Sequence, residues 1–538
     1  MFKKIVESID YPTWAKNQKR YVRLDSLDRA LDGTLYDHLR HSFYEEVDYN
    51  KKYIPIEERR PSAQTNLPSM VAKMLARKLF AGRHAPRVTH ESAPCEEWLR
   101  DLVSHTALYE RMLQASVWGS VGSVGVTFRI VDNALHIDVW RSKYCYPEFK
   151  PDGDLSRLRV QYTTGGRELR AKGFTVDCLG EAIAPGDNYW FIRDWTAETE
   201  LTYIPIPESR YDPLDGPTDD AVIPRVHEDS TITHGLGYVP GVWMVNLSGG
   251  AAPDGVCTWE PALSIAIDTD YTLSQLGRGV RYNAAPQLVI IGDLVTDDDN
   301  RIQRGPVTVI QLKSQTRDAD GGAYGGGDAK LLEMVGNGTT AGMKYVEYAR
   351  RLALESIAVS RKNPEEARGT LSGRAMELMD DSFYDLVHEL RNAYGEGGFG
   401  PLLRKIATAY VLKKLAPEGI TQDMVRTFGL RWPRLYAPSP QDEMTVIEGM
   451  TMATQNALIE PDVAKSYLRV QLDLEDYKRS TPIVEDADAE GEGDPAPGDA
   501  PPEADKYNEG KNTDLRRPGP QGHTLPTRTV GKRQTTLD

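Results

Sequence analysis

A helix whose apolar stripe is narrow and built of small residues buries little surface by itself, and residues 342–360 form such a helix. Val346, Ala349, Ala353 and Ile357 recur at helical spacing. On the opposite side Lys344, Glu347, Arg351 and Glu355 fall within one quarter-turn sector and alternate in sign. Glu347 and Arg351 stand in the favourable order for an i,i+4 ion pair. Two arrangements satisfy this pattern: a ring or bundle of parallel copies, or one helix lying on the core of its own domain.

The neighbouring stretches give that helix its setting. An earlier helix is expected over 258–282, with Thr258 as cap and Pro261 in its first turn, where a missing N–H costs little. Between the two helices, Pro286 precedes a strand (QLVII, 287–291). An acidic turn follows at Asp297, Asp298, Asp299 and Asn300, then a strand at 307–312 and a glycine-rich loop, GGAYGGG, at 321–327. Residues 1–118 read as helical. Over 67–80, Met70, Val71, Met74, Leu75 and Leu79 share a face, and a second helix is expected over 96–118. Residues 119–250 alternate at period two. Segments 124–131 and 135–140 make a hairpin around Asp132-Asn133-Ala134, and strands are expected at 157–163, 189–195, 199–204 and 242–246. After residue 360, RKNPEEARGT is a polar loop. Ser372 opens a helix to about Tyr394 and Pro401 restarts one through Leu415. Ser439-Pro440-Gln441-Asp442 starts another, and Pro461 begins the last. The expected class is α+β, mainly α.

Charge and cysteine content narrow the function classes. The chain has 538 residues and a net charge of −15, which argues against a protein that coats DNA with a uniformly basic surface. Residues 485–505 hold nine acidic residues and no basic or aromatic one, a composition expected to be disordered. Residues 506–538 turn basic, so the tail from 483 onward nets −5 and the body −10. Such a tail reads as a solvated linker or a docking arm. Cys95, Cys145, Cys178 and Cys257 are too scattered for a zinc site and too few for a disulfide framework. Glu7 and Asp10 interrupt the apolar run a signal peptide needs, and no stretch is long and apolar enough for a membrane span. A soluble intracellular protein without cofactor or metal is expected.

Catalytic patterns fail on inspection. In GGAYGGGDAK (321–330) no Gly-Lys-Ser/Thr follows the glycines, so the lysine and hydroxyl of a phosphate loop are missing. Neither Ser120 nor Ser123 has glycine at both −2 and +2, which excludes a nucleophile elbow; the glycines of 119–125 suit a turn and close backbone approach. His38 and His41 share a helical face without recognisable further ligands. Asp297–Asp299 lack the spacing of a calcium loop. No enzyme is expected.

The order of elements is helices, a β-rich section, a long helix, a strand-containing insertion, a long helix, a polar loop, another long helix and a small helical end. It resembles the portal proteins of tailed bacteriophages, the head-to-tail connectors. Local sequence agrees with it. NLPSMVAKMLARKLFAG (66–82) is similar to the helix after that family's N-terminal arm. HGLGYVP (234–240) followed by Val245-Asn246 resembles the passage before its first stem helix, in which Asp268, Thr269 and Asp270 sit at an often acidic place. LSGRAME (371–377) resembles the passage after the tunnel loop, and 439–443 with 459–468 the closing helix pair. The resemblance covers about residues 10–480; the glycine-rich loop and the tail depart from it.

The resemblance implies an N-terminal arm and wing at 1–257 (β-rich over 119–250), stem helix 1 at 258–283 and a clip at 284–335. It places stem helix 2 at 336–360, a tunnel loop at 361–371, long wing and crown helices at 372–415, a crown at 416–482 and a disordered tail at 483–538. It further implies a ring, usually a dodecamer, at one capsid vertex, assembled in the host cytoplasm and carried in the virion. Through its channel double-stranded viral DNA is packaged and ejected. The terminase large subunit and then a head-completion or tail adaptor protein dock on it, and major capsid and scaffolding proteins surround it. DNA-tunnel candidates are Arg361, Lys362, Arg368, Lys344 and Arg351, each of which could instead pair with glutamates between subunits. Clip and adaptor contact candidates are Asp297, Asp298, Asp299, Arg301 and Arg304. An acidic wall with few basic positions lets a duplex slide, because each neutralised phosphate adds affinity. The alternatives are another non-enzymatic head component, such as a minor capsid or adaptor protein, or a DNA-packaging enzyme.

Overall fold

The computed structural model describes residues 1–212, 216–218, 222–284, 287–291, 328–332, 337–359, 381–435 and 440–471. Two compact units are distinguished, Met1–Leu468 and Arg469–Asp538. The fold is α+β, mainly α.

The first part is helical as expected: α1 (Lys19–Asp32), α2 (Leu67–Phe80), α3 (Ala93–His105) and α4 (Leu108–Gly119). α2 buries Val71, Leu75 and Leu79 and leaves Lys73 and Arg77 outside, as its spacing dictates. The single helix expected over 96–118 is two helices. Thr106 turns its hydroxyl onto the Leu102 carbonyl at 2.7 Å, and Ala107 takes a left-handed φ of 49°. Hydrophobic periodicity runs through such a break unmarked, because alanine carries no turn signature. His38 and His41 do not share a helix either. His38 Nε2 pairs with Ser8 Oγ at 2.9 Å, and His41, on a two-residue strand, pairs with Glu45.

The β-rich section holds β1 (Ser123–Val131), β2 (Ala134–Arg141), β3 (Cys145–Phe149), β4 (Leu155–Gly165), β5 (Asn188–Trp195), β6 (Thr199–Thr202), β7 (Ile232–Thr233) and β8 (Gly241–Val245). Asp132 and Asn133 both have positive φ, 50° and 62°, which closes β1 and β2 as a type I′ hairpin. The expected strand at 199–204 stops at Thr202. The strands named here form two antiparallel sheets. β8-β1-β2 carries Val124, Val126, Phe128 and Met244 into the main core with the helices. The other sheet, β7-β6-β5-β4-β3, builds small cores of its own, one around Leu158, Val160 and Trp195.

A buried ion cluster ties β4 to β5. Asp194, 1% exposed, accepts Arg159 Nε at 2.8 Å, Arg159 Nη2 at 2.9 Å, Tyr203 OH at 3.1 Å and also Arg157 Nη2. Burial pushes this carboxyl up, but the hydrogen bonds and charges of the two arginines outweigh it and hold it below the ordinary carboxylate range.

The next helix, α5 (Glu260–Ala284), leads to β9 (Gln287–Ile291), which pairs antiparallel with β10 (Asp328–Leu332), and α6 (Asn337–Glu355) follows. The strand at 287–291 was expected; its partner was not, for DAKLL lies directly after the glycine-rich loop. The expected strand at 307–312 and the loop at 321–327 lie outside the described residues. α6 ends at Glu355 rather than Ser360. Ala358 turns left-handed at φ 55°, its N–H meets the Glu355 carbonyl at 3.1 Å, and Val359 N–H meets the Leu354 carbonyl at 2.9 Å. That is a Schellman closure without glycine, hence without its usual sequence mark.

Two helices were expected over 372–394 and 401–415. Among the described residues they form one run: α7 (Asp381–Arg391), a π-helical stretch (Asn392–Phe399) and α8 (Gly400–Leu412). The glycines between those two expected helices serve close packing. A Cβ on Gly395 would sit 2.5 Å from the Trp432 ring, and one on Gly398 would sit 2.8 Å from Met244 Sδ. Gly395→Ala is therefore expected to cost about 1–3 kcal/mol by overpacking, measurable as a lowered urea midpoint at unchanged slope. The chain closes with α9 (Pro440–Gln455) and α10 (Pro461–Gln471), both beginning at the expected prolines.

Candidate functional site

Among the described residues, the features that the sequence marks for function lie on α5 and α6. The helices are antiparallel: Tyr345 OH donates to Asp268 Oδ2 at 3.1 Å, and Gly342 is packed against Leu276. By helical rise they run roughly 38 and 28 Å.

α5 is anchored on both sides. Asp270 is buried and accepts Thr65 N–H at 2.7 Å, Thr65 Oγ1 at 2.8 Å and Tyr36 OH at 3.0 Å. Burial pushes its carboxyl above the ordinary range, and these donors only partly offset the shift. Ahead of α5, Asn246 links β8 to the helix start. Its Nδ2 donates to the Val256 carbonyl at 2.8 Å and to Thr258 Oγ1 at 2.7 Å, while Tyr394 OH donates to its Oδ1 at 3.0 Å. The helix begins at Glu260, so Thr258, expected as its cap, sits one residue too early for that position and serves instead as Asn246's acceptor.

On α6 the expected stripe is the buried one: Val346, Ala349, Ala353 and Ile357 are all inside. Lys344, Glu347, Arg351 and Glu355 are all exposed. The ion pair recorded is Arg351–Glu355 at 3.8 Å rather than the expected Glu347–Arg351, and the Arg351 guanidinium also lies 5.7 Å from the Tyr348 ring. Arginine reaches the tyrosine one turn back and the glutamate one turn on, a compromise that spacing rules do not anticipate. Of the DNA-tunnel candidates, Lys344 and Arg351 thus share one exposed sector, separated by about 10 Å along the axis. Arg361, Lys362 and Arg368 lie outside the described residues, as do Asp297, Asp298, Asp299, Arg301 and Arg304.

A third face of α6 went unread in the sequence. Tyr345 (49% exposed), Tyr348 (54%) and Leu352 (42%) run at i, i+3, i+7, one residue behind the buried stripe, and Val280 is half-exposed on α5. The signal was present: two parallel apolar lines, offset by one position, make a helix too wide for one groove. Exposed aromatic lines of this kind mark surfaces that pack on something else. α9 and α10 repeat the feature with Met444, Ile447, Met452, Val463 and Tyr467.

Other chemistry is as follows. Among the described residues no group of three or more His, Cys, Asp or Glu is placed to hold a metal ion. The four cysteines are free and buried, and burial pushes their thiols up. No described helix is long and apolar enough to cross a membrane. No protein-family model matches the chain, and comparison with curated proteins finds no match.

Proposed function

We propose that the chain is the subunit of a portal-type ring, without catalysis, at one vertex of a phage capsid. The observation that carries this reading is the three-faced helix α6. Its small-residue stripe seats on its own subunit, its Tyr345–Tyr348–Leu352 line is left for a neighbouring copy, and its sign-alternating sector remains for the lumen. In a closed ring each copy offers one helix flank and accepts another, so an apolar line beside a charged one satisfies both neighbour and channel. Lys344 and Arg351, paired with or flanked by glutamates, would centre a duplex without gripping it. The ring conducts double-stranded viral DNA during packaging and ejection. It serves as the docking platform for the terminase large subunit and the head-completion or tail adaptor, among major capsid and scaffolding proteins. Negative-stain electron microscopy of the purified protein tests the proposal. Rings with a central hole of duplex width, near twelve-fold, are expected; monomers or shell-like sheets would favour a minor capsid or adaptor role.

A further inference from the structure

At the end of α7, Arg391 is 3% exposed, and its Nε and Nη2 have no hydrogen-bond partner among the described residues. These two groups lie on one edge of the guanidinium and point the same way, the geometry that grips two oxygens of one oxyanion. The other contact of the group is a ring face: Trp432 lies 5.0 Å from the guanidinium carbon. α7 packs on α2, and the last turn of α2 with the segment that follows it brings further cations near Arg391. Lys78 and Arg83 act electrostatically on His84 together with Arg391, and His84 Nδ1 is likewise buried without a partner.

Burial and then these three cations push the His84 imidazole down to about 4, so near pH 7 it is neutral and its ring can still donate an N–H. Burial also lowers Arg391, opposed by the Tyr384 phenol, and among the described residues no carboxylate forms an ion pair with it. An unpaired buried cation is costly, and native structures compensate it with an anion. Here the chain supplies the cations, and among the described residues no acceptor meets that edge of the fork.

We propose that Arg391, His84 and Arg83 form a binding site for a small tetrahedral oxyanion of the phosphate class. Arg391 takes two oxygens through Nε and Nη2, neutral His84 donates to a third, and Arg83, which is exposed, forms the entrance. The near-complete enclosure of Arg391 selects a small free anion over the backbone of a duplex, which cannot shed its neighbours to enter. Occupancy would lock α7 onto the end of α2, joining residues about 300 positions apart in the chain.

The test uses the full chain, with inorganic phosphate as the probe, by calorimetric titration and thermal unfolding. Sodium chloride at matched ionic strength is the control. Phosphate is expected to bind saturably, near one per chain, and to raise Tm. Arg391→Lys keeps the charge but loses the fork and should weaken Kd at least about tenfold. Arg83→Gln lies on the surface, leaves the fold intact, and should weaken it in the same direction. A Tm rise matched by chloride, or a phosphate Kd unchanged in Arg83→Gln, overturns the proposal. So does a short DNA duplex that binds at Arg83 where phosphate does not.

Discussion

Replacing Tyr345, Tyr348 and Leu352 together with glutamate is expected to yield a folded subunit that no longer forms rings. The three side chains are exposed in the single chain, so removing them disturbs no core and loses only the exposed Tyr345–Asp268 hydrogen bond; Tm of the subunit should fall only slightly. At an interface they count for much more. Burying two tyrosines and a leucine is worth roughly 5 kcal/mol by apolar area, a factor of about 10³–10⁴ in subunit affinity, before the repulsion of the introduced carboxylates. Light scattering coupled to size exclusion should show a monomer where the parent shows an oligomer. Persistence of the rings would place the contact elsewhere, with the α9–α10 apolar line as the next surface to alter.

Asp194→Ala should destabilise the subunit by about 3–5 kcal/mol, because it leaves Arg157 and Arg159 without their buried counter-charge. Urea unfolding reads the loss, and pH identifies its origin. The Asp194 carboxyl is held below its ordinary value of 3.8, so its ion pairing contributes fully above that value and is lost as pH falls through the depressed one. The difference between parent and variant should therefore shrink on acidification below about pH 4. A difference constant across that range would mean that packing, not charge, sets the penalty. Asp270 has the opposite sign: its carboxyl is raised, so its contribution declines as pH rises from 3.8 through the raised value.

What could be read in advance depended on whether a residue's local chemistry decided its conformation. α2, the Asp132-Asn133 hairpin and the proline-led starts of α9 and α10 were legible because apolar period, turn residues and missing N–H groups all pointed one way. The break at Ala107 and the closure at Ala358 were not, since alanine enters the left-handed region only where tertiary contacts compensate. The π-helical join at 392–399 was misread for the converse reason. A restart was expected at Pro401, yet the helix runs through, and its glycines make room for Trp432 and Met244, residues distant in sequence. At the candidate site, the buried stripe and charged sector of α6 were readable from spacing alone. The Tyr345–Tyr348–Leu352 line was hidden by its nearness to the core stripe, and the unpaired fork of Arg391 by depending on three separate segments.

The main core has a kinetic consequence. Leu75 and Leu79 of α2 share it with Leu390, Leu402 and Phe428, and the strand Arg87–Thr89 pairs with Gly429–Arg431. During synthesis at about 5–20 residues per second, the N-terminal helices must wait roughly 20–70 s for those partners to emerge. α6 emerges only about 75 residues before Phe428, so for the last ~4–15 s of that interval the apolar faces of α2 and the aromatic line of α6 are both uncovered and compete for each other. Such a chain is expected to refold slowly, by its long-range contacts, and to aggregate when crowded with its own copies before the core closes. Assembly into the proposed ring would then be gated by folding: the α6 surface offered to a neighbour emerges only shortly before the body that orients it is completed.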